Sequence, residues 1–123
     1  MMKILFSINP EHVNNILSGR KRVEYRKTKC QRQVDTVLIY STAPVKQVVA
    51  QAHLKSILVD APENIWELTK DKSGISHKFF SDYFASKKYA VAYELEGIEK
   101  FAEPRSLKDF GLHYVPQSFA YVE

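Results

Sequence analysis

The spacing of apolar positions changes several times along this chain. Residues 3–8, KILFSI, are continuously apolar and β-prone, which predicts a buried strand. In NPEHVNNILSG the period lengthens: Val13, Ile16 and Leu17 fall at i, i+3 and i+4, one stripe of a short helix. Asn9 is placed to cap that helix, Pro10 suits its first position, Glu11 complements its dipole and Gly19 stops it. Period two returns at 21–27, with Val23 and Tyr25 facing one way and Arg22, Glu24 and Arg26 the other. A polar loop, TKCQRQ, leads to VDTVLIY (34–40), a second apolar strand. After the turn Ser41-Thr42-Ala43-Pro44, residues 45–59 read as one long strand, bent or bulged because few strands exceed about ten residues.

The middle is helical. Asp60 or Ala61 precedes Pro62-Glu63, and Ile65, Trp66 and Leu68 form an apolar face that ends at Ser73-Gly74. Ser76 caps HKFFSDYFAS, where Phe79, Phe80, Tyr83 and Phe84 fall at i, i+1, i+4 and i+5. An aromatic stripe can serve as a base-stacking platform, but at helical spacing this one reads as core. KYAVAYELE (88–96) alternates as a strand, with Tyr89, Val91, Tyr93 and Leu95 on one side; Gly97 turns it and IEKF continues. Ser106 caps a helical turn, LKDF, closed by Gly111, and VPQSFAYV is the last strand, with Phe119 and Tyr121 on one face. Strands cluster rather than alternate with crossover helices, so the fold class is α+β and not a doubly wound parallel sheet. About six strands in a single domain over residues 1–123 would curl into a small, partly closed barrel with helices at its ends.

Composition narrows this further. A chain of 123 residues, 45% apolar and 26% charged, buries roughly two thirds of its unfolded surface and needs no staples. The single cysteine, Cys30, excludes an internal disulfide and suits a reducing, cytoplasmic compartment. The N-terminal apolar run is too short for a signal peptide, and no segment approaches the ~18 apolar residues that span a membrane. Net charge is +4, yet residues 20–32 alone hold seven basic side chains against Glu24, a local +6 that leaves −2 elsewhere. Such local charge points to a nucleic-acid or phosphate partner rather than to general surface basicity.

The familiar nucleotide signatures, G-x-x-x-x-G-K-[ST] and G-x-G-x-x-G, do not occur. His12, His53, His77 and His113 lack paired spacing, so no metal site is expected. Ser18-Gly-Arg-Lys21 matches S-x-x-K by coincidence, because that motif needs a helix where Gly19 ends one. What remains is Lys21, Arg22, Glu24 and Arg26. Lys21 and Glu24 are three apart and face opposite sides of a regular strand; they converge only if the chain twists or bulges after Gly19. Converged in a shielded cleft, Glu24 would hold Lys21 charged, and Arg26 would grip a phosphate or a carbonyl edge.

The segment INPEHVNNILSGRKRVEYRK resembles the start of the ASCH domain, a branch of the PUA-like superfamily, with Gly19, Lys21, Glu24 and Arg26 matching its Gly-x-Lys-x-x-Glu-x-Arg pattern. VLIYSTAPVKQVV resembles its second strand pair, whose Tyr-Ser-Thr-x-Pro turn opens onto the cleft, and VPQSFAYV its closing strand. The resemblance implies a bent, PUA-like barrel with flanking helices and a cleft that binds RNA or a modified nucleobase; the missing motifs and short apolar runs noted above leave no cofactor, metal or membrane partner expected. Arg20, Lys21, Arg22, Glu24, Arg26, Lys27, Ser41, Thr42 and Ser118 are the ligand-binding residues expected of such a module; Tyr40 would stack on a base, and so would Tyr25, except that it alternates with the arginines and reads as core. Some ASCH members deacylate 4-acetylcytidine with a lysine, a threonine and a glutamate. Here the lysine matches Lys21, the threonine position is Glu24, and the segment expected to supply the acid reads DKSGIS, with Ser73 or a neighbour in its place. An amidohydrolase would therefore rest on Lys21 and Glu24 with Ser41 or Thr42 as nucleophile. A metabolite sensor or protein-interaction module is the further alternative.

Overall fold

The computed structural model describes residues 2–123; Met1, the first residue of the N-terminal run, lies outside them. The elements are β1 (Lys3–Ile8), α1 (Pro10–Leu17), β2 (Val23–Arg26), β3 (Thr36–Ser41), β4 (Gln47–Asp60), α2 (Pro62–Thr69), α3 (His77–Tyr83), β5 (Ala90–Arg105) and β6 (Phe119–Val122). Short 3-10 turns occupy Lys70–Lys72 and Leu107–Phe110. All strands join one sheet in the order β2-β5-β4-β3-β1-β6. Only β1 and β3 run parallel, with α1 and β2 in the crossover; every other pairing is antiparallel. The sheet curls until its edges meet: Arg26 at the end of β2 hydrogen-bonds the backbone oxygens of Ser7 in β1 and Ser118 ahead of β6.

Strand alternation sorts the core. In β1, Ile4, Phe6 and Ile8 enter the interior with Val37, Ile39, Ala50, Ala52 and Tyr93, while Leu5 faces the other way with Leu38, Tyr40 and Val48. Val13 and Ile16 of α1 close over the first group. A third cluster, Val23, Tyr25, Ile65, Phe80, Phe84 and Ala92, fixes α2 and α3 against β2 and β5. Phe6 and Tyr93 meet edge to face at 4.9 Å, a geometry that adds ~0.5–1.5 kcal/mol beyond area burial.

The long strand expected over 45–59 is β4, and its register slips at three points against β5, as a bent strand requires. Gly97 does not turn the chain. β5 runs through it for 16 residues, and its φ of +59° kinks the strand where the pairing with Gln51 and His53 shifts. Ser76 and Ser106 cap as expected, the latter in a reciprocal box with Asp109. Asn9 does not: its side chain makes no bond to the helix and instead accepts from the Thr42 hydroxyl at 3.3 Å. No helix among the described residues is long and apolar enough to cross a membrane.

Candidate functional site

Where α1 ends, the chain makes the turn that assembles a cleft. Gly19 takes φ +85° just past the cap, a conformation that only glycine adopts without strain. The Lys21 amide then donates to Asn15 O at 3.0 Å, and the Arg22 amide to Lys72 O at 2.9 Å. These bonds hold Lys21 outside β2, so strand alternation does not govern it. Its side chain turns to the same side as Glu24, the convergence that the odd spacing required. The resulting cleft, about 230 Å³, lies between the β1–α1 junction (Ser7, Ile8, Asn9, His12), Lys21, β2 (Glu24, Tyr25, Arg26) and the α3 wall (Ile75, Phe79, Tyr83). At about 30 Å³ per liquid water, that is the volume of about seven or eight waters.

Lys21 is only 3% exposed. Its Nζ donates to Ser73 O at 3.0 Å and sits 4.9 Å from the centre of the Tyr25 ring. Burial pushes its pKa down from 10.5; Glu24 opposes the shift and Arg26 adds to it. Gly74 makes this seat possible. It has φ +67°, and a Cβ there would lie 2.6 Å from Lys21 Cβ. DKSGIS therefore supplies a carbonyl and a side-chain-free wall.

Glu24, 8% exposed, is paired with Arg26 and not with Lys21. Its Oε2 accepts from Arg26 Nε at 3.1 Å and lies 2.9 Å from Nη2. The guanidinium also donates to Ser118 O, Ser118 Oγ and Ser7 O, and it stacks over Phe6 at 4.7 Å. Those contacts occupy its five N–H donors. The geometry thus makes Arg26 a clamp that aims Glu24, where the sequence suggested a grip on an anion. Glu24 Oε1 has no hydrogen bond among the described residues, and Lys21 uses one donor of three. An unengaged carboxylate oxygen and an ammonium therefore face one small space.

The other expected residues separate. Arg20, Arg22 and Lys27 are exposed; Arg22 lines a different groove with Lys55, Lys72 and Glu94, whereas Lys27 Nζ reaches the cleft rim, 4.5 Å from the Tyr83 ring centre. Ser41 is buried and Thr42 bonds Asn9, and neither lines the cleft. The amidohydrolase reading loses its nucleophile on that account. Ser7 and Ser73 lie closer, but their hydroxyls donate to Pro116 O and to backbone oxygens beside Ser73. Tyr40 belongs to the core cluster on the opposite face of the sheet and cannot stack on a ligand here. Tyr25 forms the floor, its hydroxyl 2.7 Å from Thr69 Oγ1 and its pKa pushed up to about 12 by burial.

His12 was not among the expected residues. It lines the cleft, and its Nδ1 is buried without a hydrogen bond. Burial first, then the charge of Lys21, lowers its pKa below 6.5, with Glu24 and Glu11 opposing. The only sequence signal was its place on the first turn of a helix that leads to the basic segment. Phe79 and Tyr83 were misassigned by grouping them with Phe80 and Phe84, which are core. Among the described residues no cluster of His, Cys, Asp and Glu could hold a metal.

A family model described as "Domain of unknown function (DUF365)" matches residues 1–121. Among curated proteins, the chain is 30% identical over 121 residues to ATP synthase subunit alpha of Ureaplasma parvum serovar 3, which takes in 98% of this chain but 15% of that protein. It is 30% identical over 92 residues to an ASCH domain-containing ribonuclease of Zymomonas mobilis, covering 74% of this chain and 62% of that one. The chain thus spans less than two thirds of the length of each of these relatives. Among solved structures, the crystal structure of ASCH from Zymomonas mobilis superposes with a TM-score of 0.89 at 27% identity, over 98% of this chain and 87% of that one. That likeness bears out the expected architecture, a PUA-like bent sheet of six strands with flanking helices.

Proposed function

The chain belongs to the DUF365 family, and we propose that it is an RNA-directed domain whose cleft binds a nucleobase, plain or modified. One observation carries the reading. Lys21 and Glu24 are both buried in the same small cleft, and each keeps an unengaged polar atom turned to it. An ammonium asks for a carbonyl or ring nitrogen, and a carboxylate oxygen asks for an N–H. Nucleobases carry such groups side by side on one edge. A bare phosphate would meet Glu24 with like charge. Of the basic residues in 20–32, Lys27 at the cleft rim supplies backbone attraction outside the cleft. The ASCH-containing relative that is named a ribonuclease supports RNA as the polymer. Amide NMR shifts on adding a mixed-sequence single-stranded RNA test the site. Shifts converging on residues 7–12, 21–26 and 73–83 support it; shifts confined to the Arg22–Lys55 groove refute it.

RNA cleavage is the second reading, favoured by the unpartnered Nδ1 of His12 beside Lys21. Neutral His12 would accept the proton of a ribose 2′-hydroxyl. O2′ would then form a bond to phosphorus while the bond to O5′ breaks, and the leaving oxygen would take a proton from water or from an acid in the cleft. Lys21 would stabilise the charge gathering on the phosphoryl oxygens. Products ending in 2′,3′-cyclic phosphate, lost in His12→Ala, are the expected result. Intact RNA after prolonged incubation leaves binding alone.

A further inference from the structure

Burial divides the aromatic run of α3 in two. Phe80 and Phe84 lie in the core, whereas Phe79 and Tyr83 are 50% and 36% exposed and both line the cleft. They sit one helical turn apart, so their rings cover adjacent patches of one face. A single exposed aromatic needs no explanation. Two in register form a wall, and this wall lines the same cleft as Lys21 and Glu24. Outside α3 its rings meet the His12 ring, 5.6 Å from Phe79 in a T-shaped arrangement, and Lys27 Nζ, 4.5 Å from the centre of Tyr83. His12 lines the same cleft, and its Nδ1 is the one fully buried side-chain nitrogen or oxygen without a partner among the described residues. Such an atom bears its desolvation cost uncompensated until something bonds to it.

Resting on the reading that the cleft takes RNA, we infer that it admits one unpaired nucleobase, its ring face laid on Phe79 and Tyr83 and its polar edge turned to Lys21, Glu24 and His12. Lys27 at the rim then lies beside the backbone phosphate. A base within a duplex presents neither a free face nor a free edge, so the ligand class is single-stranded RNA, a loop or a bulge. Stacking tolerates any base, because every base has a π-face; selectivity comes from the edge.

The test uses 2-aminopurine, whose fluorescence is quenched on stacking, placed centrally in a short RNA carrying 2′-O-methyl groups to block cleavage. The wild-type protein should quench the single strand and bind it at least about tenfold more tightly than the annealed duplex. Phe79→Ala should weaken binding about ten- to a hundredfold, the scale of one lost stacked base, and abolish the quenching. Phe79→Trp should restore both. Affinity that depends on Lys21 but survives Phe79→Ala and Tyr83→Ala, or that is equal for the duplex, overturns the stacking inference and leaves RNA binding standing. No affinity for either RNA overturns both.

Discussion

Arg26 fastens the two edges of the sheet to each other through Ser118. Its Nη1 donates to the Ser118 backbone oxygen at 3.2 Å and to the hydroxyl at 3.1 Å, across 92 residues of chain. The same guanidinium reaches Ser7 O and holds Glu24 at the cleft. One planar group thereby closes the barrel and orients the candidate site.

Arg26→Ala should therefore destabilise strongly. It leaves the nearly buried Glu24 carboxylate without its partner, a change that typically costs about 3–5 kcal/mol. Arg26→Lys should recover little, because an ammonium cannot reproduce a five-donor fork. Urea unfolding measures both. A loss under about 1 kcal/mol would place the pair with ordinary surface salt bridges and remove the clamp.

Two glycines separate backbone strain from close approach. Gly74 and Gly111 have φ of +67° and +78°, but only Gly74 faces another residue, Lys21. Either substitution to alanine should cost about 1–2 kcal/mol for the left-handed backbone. Gly74→Ala should cost more, because Lys21 must move, and it should weaken RNA binding. Gly111→Ala should leave binding unchanged. Equal effects on binding would show that the Lys21 seat does not depend on Gly74.

How much of this was legible in the sequence depends on what each feature needs. The helix stop at Gly19 and the alternation of Val23 and Tyr25 are local, and they placed Lys21, Glu24 and Arg26 near one another. The partners were not legible. Glu24 pairs with Arg26 because Ser7 and Ser118 bring the guanidinium alongside, and those contacts join distant parts of the chain. Phe79 and Phe80 carry the same side chain in adjacent positions, so periodicity alone could not put one in the core and one at the cleft. Ser41 and Thr42 were expected at the cleft from motif resemblance; the start of the β3–β4 turn instead packs them against Ile8 and Asn9, which line the cleft while they themselves do not. Gly97 carries a turn signal, but continued pairing with β4 overrides it.

His12 should give stability an acid-side pH dependence. Its folded-state pKa is lowered, chiefly by burial and then by Lys21, so between that value and 6.5 the unfolded chain binds a proton that the folded chain does not. Stability should rise with pH across that window, and the deficit should be constant below it. Glu24 and Glu11 oppose the shift, and Arg26 adds weakly to it. Thermal unfolding of wild type and His12→Gln over pH reads this as a difference curve. A difference curve with the same value well below pH 6.5 as above it would contradict the assignment.

The exposed cations should differ in their salt signatures. Lys27 stands at the cleft rim and Arg22 in a separate groove. For RNA seated in the cleft, Lys27→Ala should flatten the log–log salt slope by about 0.7, the loss of one single-strand phosphate contact. Arg22→Ala should leave it nearly unchanged. The reverse pattern would move the RNA path to the other groove.

Lys21→Met tests the central claim most directly. Methionine fills similar space without the buried charge, and Glu24 keeps Arg26, so the fold should be as stable as wild type or more so. Titration of single-stranded RNA into the two folded proteins then reads the one change that matters. The account predicts an affinity at least about tenfold weaker, the scale of one lost hydrogen bond from a charged group. An affinity equal to wild type, in a variant that remains folded, would contradict it.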